Sequence, residues 1–89
     1  MIASVRHQGG ISIIDLVGEL TYANGKNVLW DRVRELLGGE SRAIVVNLRR
    51  VNRIDRDGVD ELQKCRNAAA ERGVNLEVAC LVAEVSMQG

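Results

Sequence analysis

The sequence predicts an α/β fold, an open mixed β-sheet of order β-β-α-β-α-β with helices packed against it. Three observations lead there. Two β-prone runs meet at the pair Gly9-Gly10, apolar residues twice recur at helical spacing, and each helical stretch ends at glycine before a further β-branched run.

Residues 2–8 and 11–17 read as the two strands of a hairpin, because Gly9-Gly10 supplies the positive φ values that a two-residue connection needs. The second run, ISIIDLV, is nearly continuous in apolar residues and so reads as the more central strand, with Asp15 expected to face solvent. After Gly18-Glu19-Leu20 the chain enters a loop, and the apolar positions switch to helical spacing. Leu29, Val33, Leu36 and Leu37 share one face with Trp30 beside them, and Asp31, Arg34 and Glu35 lie opposite. Asn24 is the expected cap of this first helix, and Gly38-Gly39 is expected to end it in the left-handed conformation.

The run AIVV at residues 43–46, continuing into Leu48, reads as a strand buried on both faces and reached by a parallel crossover. A second helix is expected to begin near Asp57, to turn Val59, Leu62, Cys65 or Arg66, and Ala69 inward, and to stop at Gly73. NLEVACLV, residues 75–82, gives the fourth strand, and Glu84–Gly89 opens at most the start of another helix. The expected organisation is one domain over residues 1–89.

Composition narrows the function. The hydrophobic content of 46% is aliphatic, with aromatics at 2%, so exposed rings for stacking bases are scarce. Twelve basic residues balance twelve acidic ones, which argues against a dedicated nucleic-acid or membrane binder. Cys65 and Cys80 lack the C-x-x-C spacing of a metal or redox site and read as small core residues in a reducing compartment. No run has the length of a signal peptide or of a bilayer span, so a cytoplasmic location without membrane insertion is expected. No cofactor and no metal are called for.

The chemistry-bearing segment is NLRRVNRIDRDGVDEL, residues 47–62, beyond the carboxyl end of the third strand, where open α/β sheets build their sites. One reading is enzymatic. Asp-Arg-Asp-Gly-Val looks like the first motif of haloacid-dehalogenase-type phosphotransferases, which would make Asp55 a nucleophile and Asp57 the acid/base of a small magnesium-dependent phosphotransferase or phosphatase. Against it, Arg49, Arg50, Asn52 and Arg53 separate the apolar run from Asp55, and that family's later motifs are missing. The plain structural role for Asp57 is to cap the second helix, with Gly58 letting the chain turn closely over the sheet. Arg42, Arg49, Arg50, Arg53 and Arg56 read either as a solvated loop or as the electropositive rim of a protein-docking surface. His7 is the only histidine and lies in the first strand, which leaves a catalytic serine or cysteine without an evident base.

Over nearly its whole length the chain resembles the STAS domain family, whose best-known members are bacterial anti-sigma-factor antagonists. The resemblance rests on GEL at residues 18–20, AIVVNLRRVNRID leading into the loop, DRDGVDEL opening the second helix, and AAAERGVNLEV entering the next strand. In the family the loop commonly reads Asp-Ser-Ser-Gly, and the second Ser is phosphorylated by a partner that is both anti-sigma factor and kinase. Asp55 matches the loop Asp, Gly58 its Gly and Leu62 a core position, whereas Arg56 and Asp57 occupy the two Ser positions. Thr21 stands where GEL is often followed by Asp, and the chain is short at the C-terminus relative to the family.

What the resemblance implies is a non-enzymatic, protein-binding regulatory module of bacterial transcription signalling. It docks its partner through Arg53, Asp55, Arg56, Asp57, Gly58 and Glu61, and lacks the usual phosphorylatable Ser. The partner classes implied are an anti-sigma factor or kinase, a stress-complex subunit, or a transporter subunit. A homodimer is one way to cover the apolar surface that a shortened C-terminus is expected to leave.

Overall fold

The structure, a computed structural model, describes residues 1–79. It contains strands β1 (Ile2–Gln8), β2 (Ile11–Leu20), β3 (Ala43–Ile54) and β4 (Asn75–Ala79), and helices α1 (Tyr22–Gly25), α2 (Val28–Leu37) and α3 (Arg56–Glu71). The sheet runs in the order β1-β2-β3-β4. β1 and β2 are antiparallel, and β3 and β4 are each added in parallel. The expected open mixed sheet is therefore observed. Gly9 and Gly10 take φ values of 56° and 87° between the paired residues Gln8 and Ile11, the twist-compatible hairpin turn that the sequence called for.

Alternation in the strands decides where the core lies. Ile14 and Leu16 of β2 and Ile44, Val46 and Leu48 of β3 point to one face, where they join Leu29 and Val33 of α2, Leu62, Cys65 and Ala69 of α3, and Leu76 of β4 in one buried cluster. The alternate residues Ile13, Asp15, Val45 and Asn47 face the other way and are half-buried. The reading of β3 as buried on both faces is thus corrected: among the described residues the helices cover one face only, and Ala43 and Val45 on the other are half-buried. Asp15 is likewise half-buried rather than free in solvent, because Arg6 and Asn47 flank it on the adjacent strands.

β3 is much longer than the apolar run suggested. After Leu48 the buried or half-buried apolar positions are Val51 and Ile54, a spacing of three that belongs to neither a regular strand nor a helix. Two bulges explain it. Asp15 pairs with Asn47 but Val17 with Arg50, and Gly18 pairs with Val51 but Glu19 with Arg53, so β3 gains one residue at each step. Strict alternation from Leu48 would have turned Arg50 and Asn52 into the core. Each bulge instead places two polar residues in succession on the exposed side and returns the next apolar residue inward.

The helix ends also differ from expectation. Asn24 does not cap α2; its backbone N–H donates to Thr21 Oγ1 at the start of the short α1, and Asn27, at φ 66°, precedes α2 without a side-chain cap of its own. Gly38 is right-handed, at φ −80°, and closes α2 by donating to the carbonyls of Arg34 and Glu35 rather than by adopting the left-handed cap. α3 does stop at Gly73, whose successor Val74 donates back to the Ala69 carbonyl at 2.9 Å. Within α3, Leu62, Cys65 and Ala69 are buried as expected, but Val59 is 39% exposed because Gly58 takes the inward position beside it. Burial pushes the Cys65 thiol up to about 12, in keeping with a packing residue. Cys80, the last residues of the predicted fourth strand, the helix expected from Glu84, and the homodimer reasoned from it all lie outside the described residues.

Candidate functional site

The predicted site lies where the carboxyl ends of β2 and β3 meet the first turns of α1 and α3. Because β3 runs to Ile54, Asp55 follows a strand directly. The separation argued from Arg49 to Arg53 against a phosphotransferase motif therefore falls away. What Asp55 does in its place is structural. It is the residue that caps α3, which corrects the assignment of that role to Asp57. Its Oδ1 accepts from the Gly58 N–H at 2.9 Å, and its Oδ2 accepts from the Tyr22 N–H at 3.1 Å. One carboxylate thus ties the start of α3 to the start of α1. These bonds, the Gly58 one first, hold the Asp55 carboxyl below the usual carboxylate range. Each of its oxygens thus gives one acceptor site to holding the fold.

Gly58 is buried directly over the end of β2. A Cβ at this position would overlap the Leu20 carbonyl oxygen, so α3 approaches the sheet at a distance that only glycine permits. Glu61, one turn further on, is also turned inward. Its Oε2 accepts from the Trp30 N–H at 2.8 Å and its Oε1 from the Asn27 N–H at 3.2 Å. It supplies from another helix the cap that α2 lacks, and its negative charge sits at the positive end of that helix. Of the predicted site residues, Asp55, Gly58 and Glu61 are held by the fold, while Arg53, Arg56 and Asp57 are exposed.

Sequence reasoning missed the aromatic content of this surface. Tyr22 is 56% exposed, and Lys26 Nζ lies 4.4 Å from its ring centroid. Lys64 Nζ stands 4.4 Å from the ring of Trp30, which is half-buried. Tyr22, Lys26, Asp57, Asp60 and Lys64 border a depression of about 230 Å³, and Asp60 and Lys64 are shared with a shallower one of about 440 Å³ beside Trp30. The available signal was the composition itself: Tyr22 and Trp30 are the chain's whole aromatic complement, and an exposed Tyr next to a helix start is unusual in a core this economical.

Elsewhere, His7 Nδ1 is 3.1 Å from Ser12 Oγ, which in turn hydrogen-bonds Ser41 Oγ. Ser12 is 1% exposed, so the chain of bonds satisfies a buried hydroxyl and ties β1 to β2 and to the segment before β3. Among the described residues, no three or more His, Cys, Asp or Glu side chains gather so as to hold a metal ion, and no helix is long and apolar enough to cross a membrane.

Comparison with known proteins agrees with this geometry. The protein called Mglu superposes with a TM-score of 0.74 at 29% identity, over 84% of this chain and 18% of its own. The anti-sigma factor antagonist SpoIIAA, in its unphosphorylated form, superposes with a TM-score of 0.70 at 15% identity, over 86% of this chain and 71% of its own. A sulfate transporter family protein from Wolinella succinogenes gives a TM-score of 0.62 at 22% identity, over 80% of this chain and 57% of its own. The chain thus spans about a fifth of the length of Mglu and about half of the transporter protein. No curated protein matches it. The family model described as STAS domain matches residues 3–87, nearly the whole chain and both sides of the loop at Asp55, and the chain belongs to the STAS domain family.

Proposed function

We propose that this domain is a non-enzymatic docking module of bacterial signalling that binds a protein partner with the surface around Arg53, Arg56, Asp57, Tyr22 and Val59. The observation that carries the reading is a division of labour at the loop. Asp55, Gly58 and Glu61 are committed to building the junction of α1, α2 and α3, which leaves the intervening Arg56 and Asp57 exposed on a rigid base. Exposed Tyr22 and Val59 lie beside them as apolar anchors, and Arg53 and Lys26 add charge, the mixture common at transient interfaces.

The family points the same way, since STAS domains bind protein partners, and SpoIIAA, an anti-sigma factor antagonist, shares the fold. The partner on this reading is an anti-sigma factor of the kinase type; a stress-complex or transporter subunit would use the same surface. The setting is cytoplasmic. Asp57 stands at the family's phosphoserine position with one negative charge, less than the roughly −1.5 to −2 of a phosphate, so this copy of the loop is held in one binding state.

The test is binding to an anti-sigma kinase encoded beside this chain, with and without ATP. The wild type should bind and gain no mass, Asp57→Ser should gain one phosphate, and the pair Arg53→Glu with Arg56→Glu should bind at least tenfold more weakly at unchanged fold. Unchanged affinity after that double reversal would move the docking surface elsewhere, and phosphate on the wild type would show that the switch persists at another hydroxyl.

A further inference from the structure

The face of the sheet that no helix covers among the described residues carries a third depression, remote in role from the docking surface. It has a volume of about 690 Å³ and is lined by Ser4, Arg6, Asp15, Asn47, Arg49 and Arg50. Its single acid is already committed. Arg6 holds Asp15 with two hydrogen bonds, Nε to Oδ2 at 2.5 Å and Nη2 to Oδ1 at 3.1 Å, and the Asn47 amide donates to Oδ1 at 2.8 Å. These partners, Arg6 first, keep the Asp15 carboxyl below the usual range, so it stays charged at neutral pH. Three arginines against one aspartate leave the lining a formal surplus of +2.

The backbone sets this arrangement up. The first bulge of β3 lies between the pairs Asp15/Asn47 and Val17/Arg50, and it is the reason two consecutive arginines stand on one side of the sheet. Asn47 Oδ1 accepts from the Arg49 N–H at 3.0 Å and fixes the chain at the bulge. Both arginines are exposed, and neither enters an ion pair among the described residues. Arg50 acts on Asp15 only through space, without a contact of ion-pair length, so the two consecutive arginines keep their forked donors for a shared oxyanion.

We propose that the concavity formed by Ser4, Arg6, Asn47, Arg49 and Arg50 binds the phosphate group of a small soluble phosphate monoester. The dianion matches the +2 surplus, the Ser4 hydroxyl adds a neutral donor beside the guanidinium groups, and the volume leaves room for the ester's organic part. A lipid phosphate would offer the same chemistry, but the site is concave and the chain has no net charge to hold it on an anionic bilayer.

The experiment is an amide NMR titration of the intact chain with O-phosphoserine and with inorganic phosphate at constant ionic strength, with chloride as the control anion. Expected are saturating shifts clustered at Ser4, Asn47, Arg49 and Arg50, and an affinity at least tenfold weaker in the double variant Arg49→Gln, Arg50→Gln. Arg66→Gln, exposed on the helix side and outside both surfaces, should leave the titration unchanged. The two single variants Arg49→Gln and Arg50→Gln keep the test sound should the double variant melt early. Shifts that stay linear in concentration, that chloride reproduces, or that survive loss of both arginines would overturn the proposal. So would co-sedimentation with phosphatidic-acid vesicles by a chain whose spectrum O-phosphoserine leaves unmoved, since the ligand would then be lipid.

Discussion

The two faces of the sheet are built from the same strands and do opposite work. On the helix side Ile14, Leu16, Ile44, Val46 and Leu48 are no more than 1% exposed and touch aliphatic neighbours. Across the sheet, beside half-buried Ile13 and Val45, Arg6, Asp15 and Asn47 form a hydrogen-bonded row over β1, β2 and β3, and Arg49 and Arg50 flank it. The difference teaches that the fold is held from one side. Stability resides where water is excluded, and the polar side is free to carry recognition because little of the core depends on it.

The largest expected contrast breaks or confirms that asymmetry. Leu48→Ala removes a buried side chain and should cost about 2–5 kcal/mol, whereas Val17→Ala, at 39% exposure on the opposite face, should cost under about 1 kcal/mol. Chemical denaturation with a common m-value measures both, and equal losses would mean that the polar face is covered by something that buries it. Next comes Gly58→Ala, which forces a methyl group against the Leu20 carbonyl; a loss of about 1–3 kcal/mol is expected, read as a lower denaturation midpoint.

Acid sharpens the comparison further, because each region has one depressed carboxylate. Asp55 and Asp15 both titrate below their unfolded value of about 3.9. A lowered folded pKa means stability that is fully present above the unfolded value and is lost as pH falls through the folded one. The melting temperature should therefore hold steady from neutral pH to about 5 and drop below about 4. Asp55→Asn should flatten part of that drop and Asp15→Asn another part. A profile unaffected by either variant would mean that other carboxylates govern acid unfolding. Smallest of all should be Asp57→Ser, within about 0.5 kcal/mol of the wild type, because Asp57 is exposed and Asp55 does the capping.

Asp55 and Asp57 also show where sequence reasoning about the site succeeds and fails. Two acids two residues apart before a helix both satisfy the composition rule for a cap, and choosing between them needs the strand end. A strand running to Ile54 places Asp55, with extended backbone, at the first position outside the helix, so its carboxylate reaches the Gly58 N–H. Had β3 stopped near Leu48, the segment through Arg53 would have been loop, as its four polar residues suggested. The signal for the longer strand was present as the spacing Leu48, Val51, Ile54, but a period of three becomes legible only when bulges are admitted. Glu61 left no local signal at all: its carboxylate caps a helix 31 and 34 residues away in sequence.

What the sequence by itself determined is whatever depends on neighbours along the chain. The Gly9-Gly10 hairpin, the inward stripe of α2 at Leu29 and Val33, the stop of α3 at Gly73 and the order of the strands and the two long helices follow from turn chemistry and from the periods of apolar residues, whereas the short α1 stood as a loop. Tertiary structure alone decided which face of each strand is dry, that Gly58 must yield to the Leu20 carbonyl, that Asp55 and Glu61 are clamps, and that Arg49 and Arg50 stand together beside Arg6. The physical reason is range. Propensity and capping act over one turn of chain, whereas burial, bulge placement and charge clustering are set by pairing between strands whose residues lie about 30 positions apart.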